Sequence, residues 1–245
     1  MNDLFDLLAD GEIVFEEAVK YFGDKLPVTS AEFHKLAEEY KSLAFTVSGY
    51  TKVQVLKKFH EELLKAIEDG LTIKDFKENM NDFLERRGYT GLTNFQADNI
   101  FRTNVQTAYQ VGHYKQMTSP EVMKLRPYWM YDAVHDSRTR PSHLAMDGRV
   151  FRADDPIWNT WYPPNGFRCR CSIVTLSERQ VQERGLKVES EPPVSAEVNG
   201  HFVNILPDPN FSTNPAKHAF KPDLTDYPPA LKKAFEKRQK SQKDG

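Results

Sequence analysis

Between Tyr131 and Cys171 the sequence gathers carboxylate, guanidinium, imidazole and thiol groups among turn residues. They are Asp132, His135, Asp136, Arg138, Arg140, His143, Asp147 and Gly148, followed by Arg168, Cys169, Arg170 and Cys171. Both cysteines of the chain lie here. The first chemistry they suggest is metal binding. Zinc takes thiolate and imidazole in a tetrahedral shell, so Cys169, Cys171 and His143 supply three ligands, with His135, Asp132 or Asp136 as a fourth. Zinc cysteines are usually spaced by about two to four residues. On a regular strand the two sulfurs of Cys-x-Cys share a face but stand too far apart, so this reading requires a turn. The competing reading is a pair of reduced, packed thiols and no cofactor, since a disulfide between positions i and i+2 is strained.

Three other chemistries use the same residues. A nucleophilic cysteine would need His143 as base and an aspartate to orient it, with Arg168 and Arg170 lowering the thiol pKa. No local signature of a known cysteine enzyme accompanies them. A metal-dependent enzyme acting on nucleic acid would use Asp132, Asp136, His143 and Asp147. A nucleic-acid surface would use Arg138, Arg140, Arg149, Arg152, Arg168 and Arg170 interleaved with Trp158, Trp161, Tyr162 and Phe167. Asp132, Asp136, Asp147, Asp154 and Asp155 offset much of that charge. The sequence favours a fourth role, a cross-braced polar core in which arginines clamp carboxylates and backbone carbonyls.

The elements that must position these groups change character midway. Thr29 with Glu32 makes a capping box ahead of a helix over AEFHKLAEEYKSLAF. A second helix runs from about Lys52 to Asp69, with Val53, Leu56, Phe59, Leu63 and Ile67 as its apolar stripe. Thr72 and Asp75 open a third, through Phe76, Met80 and Phe83 to Leu84. Thr93 and Gln96 open a fourth, from Asn94 to about Met117. On that helix Ala97, Phe101, Val105, Ala108 and Gly112 form one stripe, and Arg102, Gln106, Tyr109 and His113 a polar seam. Strands are expected at Tyr128–Val134, Arg149–Arg152 and Arg170–Leu176, with Asp147-Gly148 as a turn. Ser177 with Gln180 caps a short helix ending near Gly185.

The expected class is therefore α+β: a helical region, a compact mixed module with a short antiparallel sheet, and an extended C-terminal arm. The division reads as an acidic segment 1–28, helices over 29–92, the module over 93–187 and a partly disordered arm over 188–245 that orders on a partner.

Composition sets the limits. The 245 residues are 39% apolar and 28% charged, those of an ordinary soluble protein. No run of eighteen apolar residues exists, so no membrane partner is expected, and the N-terminus lacks a signal-peptide pattern. Residues 1–20 carry a balance of −5 and residues 230–245 one of +4. The basic end, with Lys232, Lys233, Lys237 and Arg238, is a candidate contact for nucleic acid or an acidic partner, as are Arg149, Arg152 and Arg168.

One combination is more specific than its parts. Arg102-Thr103-Asn104 with Ala108 and Gly112 on a helix is followed by Asp136-x-Arg138-Thr139-Arg140-x-x-His143. Asp147-Gly148 comes next, then Gly166-x-x-Cys169-Arg170-Cys171. The set resembles the Mu F-like phage head morphogenesis family, minor head proteins of tailed bacteriophages, over about residues 94–220. The segment FVNILPDPNFSTNPAKHAF resembles the Asn-Pro tail of Mu-type members, with Ala216 where glycine is common. The resemblance implies a low-copy component of the virion or procapsid interior, assembled in the host bacterial cytoplasm. Its implied partners are the portal protein and capsid or scaffolding proteins, with packaged double-stranded DNA as a further one. Its implied roles are head assembly, DNA packaging and DNA ejection, with no established enzymatic activity. Arg138, Arg140, His143, Cys169 and Cys171 would then fix the fold.

Overall fold

The computed structural model describes residues 15–191 and 193–241. Half of the acidic N-terminal segment, including Asp3, Asp6, Asp10 and Glu12, lies outside the described residues, as does Lys243. The chain forms two compact units, residues 1–112 with 215–245, and residues 113–214.

The first unit is largely helical: α1 (Glu16–Asp24), α2 (Ser30–His34), α3 (Glu38–Lys41), α4 (Val53–Asp69), α5 (Ile73–Glu85) and α6 (Asn94–Met117), whose last turn belongs to the second unit. The local capping signals are realised. Thr29 with Glu32 and Thr72 with Asp75 form reciprocal capping boxes, and Thr93 and Gln96 exchange the same pair of bonds. Phe59, Leu63, Phe76, Phe101 and Val105 are buried where the helical spacing puts them. Val53 is not, being 43% exposed while Val55 is buried in its place.

The single helix expected over residues 31–45 breaks into α2 and α3 and ends in a strand. Strands β1 (Leu26–Pro27) and β2 (Ala44–Phe45) pair in parallel, with Leu26 N–H donating to the Leu43 carbonyl at 2.9 Å and Val28 N–H to that of Phe45 at 2.8 Å. Leu43, Ala44 and Phe45 are each 2% exposed. That pairing and burial outweigh the small helix propensity of a short segment.

The C-terminal residues also depart from the expected extended arm. Their backbone is irregular from Ile205 to Pro228, but Tyr227 and Phe235 are buried with Leu26, Val28, Tyr40 and Leu43. Helix α11 (Pro229–Ser241) packs on α1 and β1. Two aromatic anchors, Tyr227 ahead of the helix and Phe235 on it, make residues from Pro215 onward part of the first unit's core.

The second unit is built on a three-stranded antiparallel sheet. Strand β3 (Tyr128–Asp132) lies between β4 (Val150–Arg152) and β5 (Ser172–Leu176). Strand alternation sends Trp129, Tyr131 and Ile173 to one face. There Trp129 meets Trp158 of α9 (Trp158–Trp161) at 5.6 Å and Tyr131 meets Trp161 at 5.8 Å between ring centroids. The other face buries Val150 and Leu176 with Val181 of α10 (Glu178–Glu183), a helix opened by the Ser177–Gln180 box. Helix α7 (Pro120–Leu125), absent from the sequence reading, is capped by Ser119 with proline at its first turn. Glu189 N–H donates to the Val150 carbonyl at 2.8 Å, tying the chain beyond Val188 to the sheet edge. Strands β6 (Ser195–Val198) and β7 (His201–Asn204) form a hairpin inside the stretch read as unstructured, turned by Asn199 and Gly200 with φ of 51° and 80°.

Candidate functional site

Strand β3 delivers the chain at Asp132 into a loop that the motif residues close upon themselves. Asp147 accepts from Ala133 N–H at 2.8 Å and pairs with His135 at 2.6 Å. Gly148 N–H returns to the Tyr131 carbonyl at 2.9 Å, which leads the chain into β4. Asp136 caps its own turn, accepting from Arg138 N–H at 2.9 Å, and takes both arms of the Arg170 guanidinium at 2.6 and 2.7 Å. That clamp and the further bonds from Arg138 hold the Asp136 carboxyl well below the usual carboxylate range. Pro141 then starts the short helix α8 (Pro141–Leu144), which carries His143 inward.

The second half of the motif arrives through the aromatic loop. Asn165, fully buried, accepts from the Tyr131 hydroxyl at 2.9 Å and donates to the Thr160 carbonyl at 3.2 Å. Arg168 adopts a left-handed φ of 58°, and Cys169 N–H folds back to the Gly166 carbonyl at 3.2 Å. Both cysteines therefore sit on a bend before the ladder begins at Ser172. Arg170 is held by Asp136, and its two neighbours point to the interior. The sulfurs of Cys169 and Cys171 lie 3.7 and 3.4 Å from Nδ1 of His143. The three residues are 3%, 2% and 1% exposed. Trp161 stands edge-on to the imidazole at 6.1 Å.

The two thiols are unequal. The hydrogen bond with Cys171, then that with His143, pulls the Cys169 pKa far down. The same bond to Cys169, reinforced by burial, pushes that of Cys171 up. Nε2 of His143 is buried with no hydrogen-bond partner among the described residues. Among the described residues no aspartate orients this imidazole, so a Cys–His–Asp arrangement is not assembled there.

The structure separates the other candidates from this cluster. Among the described residues no fourth His, Cys, Asp or Glu ligand atom joins the three. His135 is occupied by Asp147, Asp136 by Arg170 and Arg138, and Asp132 by the Ser172 hydroxyl at 3.1 Å. Arg149 grips both oxygens of Glu189 at 2.8 and 2.9 Å, and Arg152 pairs with Asp154. Arg102 pairs with Asp98 at 2.7 Å, Asn104 donates to the Ile100 carbonyl of its own helix, and the Thr103 carbonyl accepts from the Thr107 hydroxyl. Gly112 is a close-approach position, where a Cβ would stand 3.0 Å from the backbone nitrogen of Ala18. Lys232, Lys233, Lys237 and Arg238 lie on α11, where Arg238 is half-buried and donates to Nδ1 of His60 at 3.4 Å.

One contributor went unread in the sequence as a site residue. Asp208 pairs with Arg140 at 2.7 Å, and Arg140 also donates to the Phe167 carbonyl at 3.0 Å. A Cβ on Gly166 would fall 2.9 Å from Cζ of Arg140 and equally close to Cγ of Asp208. Glycine is what lets that ion pair cross the Cys-Arg-Cys turn. Gly166→Ala is expected to destabilise the second unit by about 1–3 kcal/mol through this overpacking, measured by urea denaturation. An unchanged midpoint would mean that the pair simply moves aside. Asn214 of the Asn-Pro tail donates to the Trp158 carbonyl at 3.0 Å and returns the chain from the second unit.

Comparison with known proteins places this arrangement. Residues 57–174 match the family model of Phage Mu protein F like protein, beginning in α4 and ending within β5. The chain is similar to the Mu-like prophage FluMu F protein of Haemophilus influenzae, with 39% identity over 170 residues, 64% of this chain and 41% of that protein. It is also similar to protein F of Escherichia phage Mu, a protein named for capsid assembly. There the identity is 32% over 256 residues, 89% of this chain and 58% of that protein. The chain thus spans about half the length of these relatives. No solved structure matches it.

Proposed function

Because residues 57–174 belong to the phage Mu protein F like family, we propose that this chain is a minor component of a bacteriophage or prophage head. It acts in capsid assembly and carries no catalytic activity. It associates with the portal, beside capsid or scaffolding proteins, inside a procapsid built in the bacterial cytoplasm, and assists genome packaging and delivery. No helix among the described residues is long and apolar enough to cross a membrane.

One observation supports a scaffolding role above the others. The polar groups of the motif are engaged with one another: Asp136 with Arg170, Arg140 with Asp208, Asp147 with His135 and the backbone of Ala133. Groups so committed hold loops together. The exposed lysines of α11 are the candidate contact with packaged DNA or an acidic partner. Quantitative mass spectrometry of proheads and mature particles after prophage induction tests the reading. A few copies per particle, recovered with the portal protein, are expected; absence from both proheads and particles would overturn it.

A further inference from the structure

The cluster of His143, Cys169 and Cys171 has a shape that packing does not require. Three buried groups from two separate stretches of chain turn their heteroatoms toward one point, and all three ligand atoms lie within 4.8 Å of one another. In a tetrahedral zinc shell with Zn–S near 2.3 Å and Zn–N near 2.0–2.1 Å, sulfur and nitrogen are about 3.5–3.6 Å apart. The observed separations of 3.7 and 3.4 Å bracket that value. As a hydrogen-bonded thiol–imidazole pair the same distances describe weak contacts.

We propose that Nδ1 of His143 and the sulfurs of Cys169 and Cys171 bind one zinc ion. Two thiolates, a neutral imidazole and a divalent cation sum to zero charge, the combination a buried site tolerates best. Thiolate and imidazole together select zinc over magnesium or calcium, which take oxygen ligands. Neighbouring contacts orient the ligands. Asp136 holds Arg170 outward so that both flanking sulfurs face in, and Trp161 sets the ring of His143. The ion would pin the Cys-Arg-Cys turn to α8, joining the two halves of the motif. This site stands independently of the head-assembly reading.

The test uses the full chain, purified under reducing conditions and stripped with a chelator. Titration with cobalt(II) is expected to produce thiolate-to-cobalt charge-transfer bands that saturate at one equivalent and vanish when zinc is added. Those bands can report only this site, because the chain contains just two cysteines. Elemental analysis of unstripped protein should give about one zinc per chain, and C169S and C171S should each lose it. The cobalt titration needs no variant, so a variant that fails to fold leaves the question answerable. A stripped chain that stays folded by circular dichroism and shows no charge-transfer band with excess cobalt would overturn the proposal. Cobalt bound without such bands would also overturn it, by placing the metal elsewhere.

Discussion

Replacing Phe235 with alanine is expected to destabilise the first unit by about 3–5 kcal/mol, the range for deleting a fully buried aromatic side chain. Phe235 is 1% exposed and lies in one cluster with Tyr227, Leu26, Val28 and Tyr40, residues drawn from both ends of the chain. Hydrogen exchange read by mass spectrometry would locate the effect. Protection should fall in residues 15–112 and 215–241, while peptides from 113–214 keep theirs. Lys233→Ala, on the exposed side of the same helix, should stay within about 0.5 kcal/mol of the parent. Equal small effects from both substitutions would mean that α11 only rests on the surface.

Acid should weaken the same unit before its carboxylates begin to titrate. His60 is 1% exposed, donates from Nε2 to the Phe22 carbonyl at 2.8 Å, and accepts at Nδ1 from Arg238. Both bonds suit the neutral ring. Burial, with the charges of Arg238 and Lys25, lowers its pKa from 6.5 to about 3. The unfolded chain therefore binds the proton near pH 6.5 and the folded chain only near pH 3. The stability contribution is complete above pH 6.5 and is lost progressively as pH falls toward 3. The loss from this residue is about 2 kcal/mol at pH 5 and on the order of 4 kcal/mol at pH 3. Burial lowers the pKa of His113 as well, and that residue acts with the same sign on the second unit. His60→Gln keeps an amide donor without the titration, so its stability between pH 6.5 and 5 should fall less steeply than that of the parent. Parallel slopes in urea denaturation would show that His60 takes up its proton without unfolding.

What could be read from the sequence was mostly local. The pairs Thr29–Glu32, Thr72–Asp75, Thr93–Gln96 and Ser177–Gln180 needed only three residues of separation to declare a helix start. The Asn199-Gly200 turn carried an equally local signal, yet the absence of periodicity around it hid the hairpin. The break after His34 was of another kind, because the strand at Ala44 exists only through its pairing with Leu26. In the site, spacing alone said that Cys169 and Cys171 would need a bend to converge on anything. Nothing said that Arg168 would supply it, since a positive φ at arginine has no sequence marker. Asp208 was unreadable for the same reason: its role comes from the passage over Gly166, a contact between distant segments.

The first unit is written in two pieces, with the second unit contained whole between Gly112 and Pro215. On the ribosome this order becomes a delay. Residues 15–112 emerge early, but their core waits for Tyr227 and Phe235, over a hundred residues downstream. At about 5–20 residues per second the wait is roughly 6–25 s. During it the surfaces of Leu26, Val28 and Tyr40 that these aromatics cover stay open to solvent and to chaperones. The inserted unit, contiguous from His113 to Asn214, can finish folding first. Of the two units, the one whose synthesis begins first is the last to close.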